Sequence, residues 1–257
     1  MLPNHPSKPK GFSANAIRTW GYLFLLMGIA GQSIIQNQIL GLNTMTNNEL
    51  FAAWDSNPAI MPLVTLALVF QAMQTCAAPI FSFLLVEGFL HTSNVKNYLI
   101  RVTTVALVSE LPYNLAMGGK WLDLSSRNPV FGLVLCMITL MFYAQYQERT
   151  MKHRAIKVAV TLAALVWGRM LGIQDSFCLV VLTITFWGFR NKPNFRNLAA
   201  MIAASLCTLS SMFYLASPMA VLVLYKYNGE PGPRNRTFNY AVYPVALLFF
   251  GLLGKFI

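Results

Sequence analysis

The sequence predicts an all-α fold, a polytopic membrane bundle of about nine transmembrane helices, and three observations point there. Hydrophobic residues make up 56% of the 257 and charged residues only 11%, with a mean hydropathy of +0.54. A soluble domain carries roughly 25% charged residues, so this chain lacks the polar surface to stay in water. The apolar residues also gather into runs near the ~20 residues that cross a hydrocarbon core. Finally, the 19 Lys and Arg residues collect between alternate runs, the pattern that orients a membrane protein.

Residues 1–16 are polar and interrupted by Pro3, Pro6 and Pro9. They read as a cytoplasmic tail rather than a signal peptide, and 17–257 reads as one transmembrane domain. The candidate spans are 17–40, 62–91, 97–117, 129–146, 155–173, 176–189, 197–213, 215–227 and 237–255. The second is long, and Pro79 is expected to kink it; the sixth and eighth are short. With the N-terminus inside, 15 of the 19 basic residues fall on the cytoplasmic side, leaving Lys120, Arg127, Arg169 and Lys255 outside. The stretch 41–59 has no Lys or Arg and reads as a polar outer cap holding Phe51 and Trp54. No internal repeat relates the two halves, which argues against a transporter built on repeats.

The formal charge of +11 follows from that sidedness and does not indicate a nucleic-acid partner. No nucleic-acid motif is visible. Cys76, Cys136, Cys178 and Cys207 lie in apolar stretches without CxxC spacing. They read as packing residues, and no metal site is expected.

Ionisable groups inside such spans are costly and tend to serve a function. Glu87 and His91 are four residues apart, so they share a helix face, the spacing at which a carboxylate orients an imidazole for acid–base work. Alternatively, His91 simply caps the last turn, where positive charge suits the helix dipole. Glu110 sits in Ser109-Glu110-Leu111-Pro112, and Pro112 frees a carbonyl one turn back. A carboxyl there can act as an acid or base; the structural alternative is an ion pair with Arg101, Arg127 or Arg169. Arg169, deep in its span, could neutralise Glu110 or hold an anionic ligand. The loop Tyr225-Lys226-Tyr227-Asn228-Gly229-Glu230-Pro231-Gly232 is turn-rich, with Arg234 and Arg236 just beyond. It suits either the phosphates of a nucleotide-bearing donor or a plain positive-inside anchor.

Four stretches, in order, resemble the TraX family. They are Pro79-Ile80-Phe81-Ser82-Phe83-Leu84-Leu85-Val86-Glu87-Gly88-Phe89-Leu90-His91-Thr92, Ser109-Glu110-Leu111-Pro112-Tyr113-Asn114-Leu115, Arg127-Asn128-Pro129-Val130-Phe131, and Tyr227-Asn228-Gly229-Glu230-Pro231-Gly232 with Phe238-Asn239-Tyr240-Ala241-Val242-Tyr243-Pro244. The resemblance implies a multi-pass protein of the bacterial cell inner membrane, N-terminus cytoplasmic, engaged in pilus or fimbria biogenesis. It further implies N-acetylation of a pilin or fimbrial subunit with acetyl-CoA as donor. His91, Glu87 and Glu110 would then be catalytic, Asn114 and Arg169 would bind substrate, and Lys226, Asn228, Gly229, Arg234 and Arg236 would bind the donor. The chain departs from the family at two places. Members usually carry Asp-His at the end of the first span, where this chain has Met27-Gly28-Ile29-Ala30-Gly31-Gln32-Ser33. They also usually carry a histidine two residues after the C-terminal Tyr-Pro, where Tyr243-Pro244 is followed by Val245-Ala246. Glutamine can donate a hydrogen bond but cannot take a proton as a base. The alternative function is therefore a fimbrial assembly factor on the same scaffold without catalysis.

Overall fold

The computed structural model describes residues 10–41, 60–123, 125–148, 150–233 and 236–256, the side chain of Arg236 excepted. Among these the chain is helical, with no strand and two isolated parallel bridges. Helix α1, Ala14–Ala30, starts where the Ser13 hydroxyl accepts the Ala16 N–H at 3.3 Å, satisfying one of the orphan donors of the first turn. It runs on into a π-helical stretch, Gly31–Ile39, a geometry that is rare and often functional. Helices α2, Met61–Thr75, and α3, Ala77–Leu90, form a rod broken at Cys76. Pro79 explains the break: its ring opposes the carbonyl four residues back, on Thr75. The helix is interrupted three residues before Pro79, where the sequence places the effect of that proline.

Helix α4, Val95–Gly118, is capped by the Asn94 side chain and closed by Gly119 at φ 67°, the left-handed residue that ends many helices. Then come α5, Val130–Gln145, α6, Met151–Met170, and α7, Ser176–Gly188. Helix α8, Pro193–Leu206, leads through two 3-10 turns, Cys207–Leu209 and Met212–Ala216, into α9, Pro218–Tyr225. Helix α10, Arg236–Leu253, carries Pro244 in its interior.

Each of the nine expected spans corresponds to a helical segment, with α2 and α3 together forming the second. The membrane arrangement is a different matter. Among the described residues only Met61–Leu90, at 30 residues, is long and apolar enough to cross by itself. At 1.5 Å per residue it runs about 45 Å, more than the ~30 Å core requires. The segments Val130–Gln145, Ser176–Gly188, Met212–Tyr225 and Thr237–Leu253 are apolar but shorter. The all-α fold stands; nine separate crossings are not established by length. The polar cap expected over 41–59 lies outside the described residues apart from Gly41.

The bundle is tied together around Ile17, Ile29, Ile80, Phe83, Met137, Leu140, Leu182, Phe186, Leu224 and Leu247, each at most 1% exposed. Absent side chains matter as much. Gln74 of α2 lies where a Cβ on Gly28 would stand, and Phe70 lies 2.7 Å from the Cβ position of Gly31. Those two glycines let α1 and α2 approach closely, as small residues do in membrane bundles. All four cysteines are buried free thiols, in keeping with a packing role. The outward faces are apolar: Leu107, Val158, Leu162, Ile202, Leu222 and Phe249 are all more than half exposed. An exposed apolar surface of this breadth marks an interaction with something other than water.

Candidate functional site

Two polar regions sit at opposite ends of the bundle. One end holds the helix termini bearing Lys10, Lys96, Lys152, Arg154, Lys157, Arg190, Lys192 and Lys226, and is called the basic end here. Here the last turn of α3 presents Glu87, whose side chain is only 17% exposed. Its carboxylate accepts a hydrogen bond from the Tyr227 hydroxyl at 3.2 Å and faces Arg196 of α8 at 3.8 Å. Arg196, itself buried, stacks its guanidinium 4.8 Å over the Phe83 ring. Phe83 in turn meets Tyr227 edge to face at 5.1 Å. A carboxylate taken out of water needs such partners.

His91 ends α3 with its side chain 73% exposed, Nδ1 lying 2.8 Å from the Glu87 carbonyl oxygen and 3.7 Å from the Glu87 carboxylate. A carbonyl oxygen only accepts, so Nδ1 carries the proton in that contact. Nε2 then keeps its lone pair, the tautomer an imidazole base requires. Glu87 and His91 share a helix face as expected, but the hydrogen bond to Nδ1 goes to the Glu87 carbonyl, with the carboxylate farther off at 3.7 Å, and His91 is the residue that caps α3. Arg196 and Tyr227 were not singled out from the sequence as partners of Glu87. Their signals were a lone basic residue at the start of a span and a tyrosine heading the Asn228-Gly229 turn.

That turn is sealed onto the N-terminal segment. Phe12 N–H donates to the Lys226 carbonyl at 2.6 Å and Asn228 N–H to the Phe12 carbonyl at 3.0 Å, while Ala14 N–H donates to Glu230 at 2.8 Å. The Asn228 side chain accepts the Glu230 N–H at 3.0 Å, and the Lys226 ammonium rests 5.8 Å over the Phe12 ring. Gly229 has φ 80°, with open space where a Cβ would be. Only Gly takes this conformation without cost. Arg234 lies outside the described residues, as does the side chain of Arg236.

Glu110 goes elsewhere. It lies on α4 roughly 22 Å along the helix axis from the α4 start next to His91, by rise per residue. Its carboxylate accepts from Arg127 at 3.2 Å, from Asn128 N–H at 3.2 Å and from the Asn128 amide at 2.7 Å. Asn128, fully buried, also donates to the Ala106 carbonyl at 2.9 Å and accepts the Val130 N–H. Arg127 is stitched by backbone bonds to Gly172 and Gln174. This is the structural alternative for Glu110, with Arg127 chosen from the three arginines considered. It clamps α4 to the start of α5 and to the turn before α7. Arg169, in the last turn of α6, is exposed and does not join this cluster.

Beyond the clamp, away from the basic end, lies a cavity of about 250 Å³. The π-helical stretch contributes Gln32, α2 contributes Gln71 and Gln74, and α4 contributes Tyr113 and Asn114, while α10 contributes Tyr243. Asp123 and Ser126 of the α4–α5 loop, Asp175 of the α6–α7 turn, and Tyr214 complete its polar lining. Asn114, read as a substrate contact, is thus in a pocket, whereas His91 and Glu87 are at the other end. One place where the chain departs from its family resemblance, at Gln32, lines this cavity, whereas Val245-Ala246 at the other does not, although Tyr243 just before it does. Among the described residues the lining has no histidine, and no group of acids, cysteines or histidines suits a metal ion. Asp175 and Tyr214 were missed from the sequence; a lone acid between two apolar runs was the available signal.

A bundle helical throughout its described residues, with apolar outer faces and one long apolar rod, belongs among membrane-associated proteins. More particularly, the family model described as TraX protein matches residues 60–254, and the chain belongs to the TraX family. That membership points to a role in pilin processing or fimbrial assembly. No curated protein and no solved structure matches the chain.

Proposed function

We propose that this chain is a multi-pass inner-membrane protein, N-terminus cytoplasmic, that acetylates the N-terminus of a pilin or fimbrial subunit. Acetyl-CoA is the donor, held at the basic end. The observation that carries the reading is the His91 geometry: Nδ1–H is held by the Glu87 carbonyl at 2.8 Å, and the ring is exposed with Nε2 left basic. In the reaction the amine nitrogen attacks the thioester carbonyl carbon and the carbon–sulfur bond breaks. Nε2 takes the surplus amine proton and returns it to the leaving thiolate. Glu87 is a positioning residue, fixed by Arg196 and Tyr227. Lys226, with the Asn228–Gly229 turn and the nearby Arg234 and Arg236, supplies positive charge for the donor's phosphates. The 15-to-4 distribution of Lys and Arg supports nine crossings with the cytoplasm at the basic end.

The test is the intact mass of the host's fimbrial subunit. The acetyl-sized increment should be present with the wild-type gene and disappear with His91→Ala, whose exposed side chain leaves folding unaffected. An unchanged increment removes His91 from the mechanism. A second reading, an assembly factor without catalysis, is favoured by the histidine-free cavity at Gln32 and Tyr243. It predicts identical masses with altered fimbriation, and no acetyl-CoA binding to the purified protein.

A further inference from the structure

The α5–α6 hairpin at the basic end carries cations that the rest of the chain leaves unanswered. Helix α6 begins at the Thr150 hydroxyl, which accepts the His153 N–H at 3.3 Å. Its first two turns bear Lys152, Arg154 and Lys157, and its first turn has no acidic residue. A helix start is the positive end of the backbone dipole and favours anions, so cations gathered there are set against it. Among the described residues no ion pair includes any of the three; Glu148 faces His153 instead, at 3.6 Å. Lys157 is held from the side, its ammonium 5.6 Å over the Tyr143 ring of α5, whose hydroxyl lies 2.9 Å from that of Thr161. Arg154, itself exposed, heads a line of apolar side chains. Val158, Leu162 and Val166 follow it at four-residue steps and are each more than half exposed, a spacing that keeps them on one face. From Val158 to Val166 the line runs about 12 Å by rise per residue, against about 15 Å for half of a ~30 Å hydrocarbon core.

We propose that this hairpin binds one anionic phospholipid from the membrane leaflet at the basic end. The phosphodiester sits at the start of α6, met by the Arg154 guanidinium and the Lys157 ammonium, with Lys152 adding charge from the first turn. A guanidinium presents a fork of donors that matches a phosphate. One acyl chain lies along Val158, Leu162 and Val166. Charge selects the headgroup: three unpaired cations favour a net anion, whereas a zwitterionic headgroup brings a cation of its own. Basic pockets between helices on the cytoplasmic side take anionic headgroups in this way. The inference rests on the membrane placement proposed above and not on acetyl transfer, since His91, Glu87 and Lys226 take no part in it.

Dioleoyl phosphatidylglycerol and dioleoyl phosphatidylcholine separate the chemistry, because they share their acyl chains and differ in net charge. Native mass spectrometry of the full chain in detergent, at constant ionic strength, should show the first held about tenfold more tightly or better. Arg154→Gln, at an exposed side chain, should weaken it about fivefold, the scale for one basic residue near an anionic surface. Arg154→Gln with Lys157→Gln should abolish the preference. Lys96→Gln with Lys192→Gln removes the same charge from two other helix starts at the basic end and should leave the preference intact. Equal retention of the two lipids overturns the proposal, as does equal weakening by the two double variants, which would reduce the effect to overall charge. Displacement by glycerophosphoglycerol at equal concentration also overturns it, giving the site to a soluble phosphate, and displacement by acetyl-CoA gives it to the acetyl donor. Alkaline carbonate extraction of host membranes tells this failure from that of the membrane reading. Release of the protein overturns both, whereas retention without lipid preference overturns the lipid site alone. If the Arg154–Lys157 double variant does not fold, Arg154→Gln compared with Lys192→Gln still decides.

Discussion

At the basic end Glu87 is met by a tyrosine hydroxyl, a buried arginine and a histidine, and the space around it is filled by Phe83. At the opposite end Asp175 borders a cavity beside the Tyr214 hydroxyl, with no described cation within ion-pair distance. Between them Glu110 accepts three hydrogen bonds and serves as a clamp. These three carboxylates sit in three different settings, and the number and kind of partners tell them apart. A fully answered buried acid organises the chain around it.

The largest effect should come from breaking the clamp. Glu110→Ala leaves Arg127 and Asn128 without their acceptor, and stability should fall by about 3 kcal/mol, the scale for opening a partly buried charge-assisted set. It would be read as a lower unfolding temperature of the detergent-solubilised protein. Loss of acetylation with an unchanged melting point would instead return Glu110 to the chemistry. Next, Gly28→Ala pushes a methyl group into Gln74 where α1 meets α2, and overpacking of this kind costs about 1–3 kcal/mol. The same scan should show Gly229→Ala to be milder, since a Cβ there meets nothing and only the backbone is strained.

A smaller effect sharpens the contrast between the two ends. Because burial raises the Asp175 carboxyl above its ordinary 3.8, the folded chain favours the protonated form. Ionisation in the unfolded chain then drains stability as pH rises from about 4, the direction that linkage requires. Asp175→Asn should therefore be more stable than wild type at pH 7, with the gain vanishing towards pH 4. A pH-independent difference would show that Asp175 is already answered.

Much of the fold was legible because hydropathy reports on burial run by run. The Pro79 break and each helical segment fall where composition and proline chemistry put them. The Glu87–His91 pair was legible for a similar reason, since four residues along a helix is a fixed geometry. What periodicity cannot carry is which helices become neighbours. Arg196 reaches Glu87 from α8 and Tyr227 from the loop after α9, partners set by tertiary packing. Arg127 could be named only as one of three arginines for Glu110 until α4 and the α4–α5 loop were placed together. Asp175 escaped notice because its importance lies in what surrounds it: a tyrosine about 40 positions away in sequence, by direct subtraction, lying beside its carboxyl.

The seam between Phe12–Ala14 and the turn at residues 226–231 has a consequence for how the chain is made. The first helix is joined to the last hairpin there, and Ser33 reaches the Phe250 carbonyl across 217 residues of sequence. Synthesis delivers α1 long before residues 226–231, so α1 must wait beside the growing bundle until that turn has emerged. Contacts of such long range are slow to form and leave earlier surfaces uncovered meanwhile. The Glu87 corner, which needs Tyr227, is therefore assembled only after Tyr227 has been made, and a chain cut before it cannot present it.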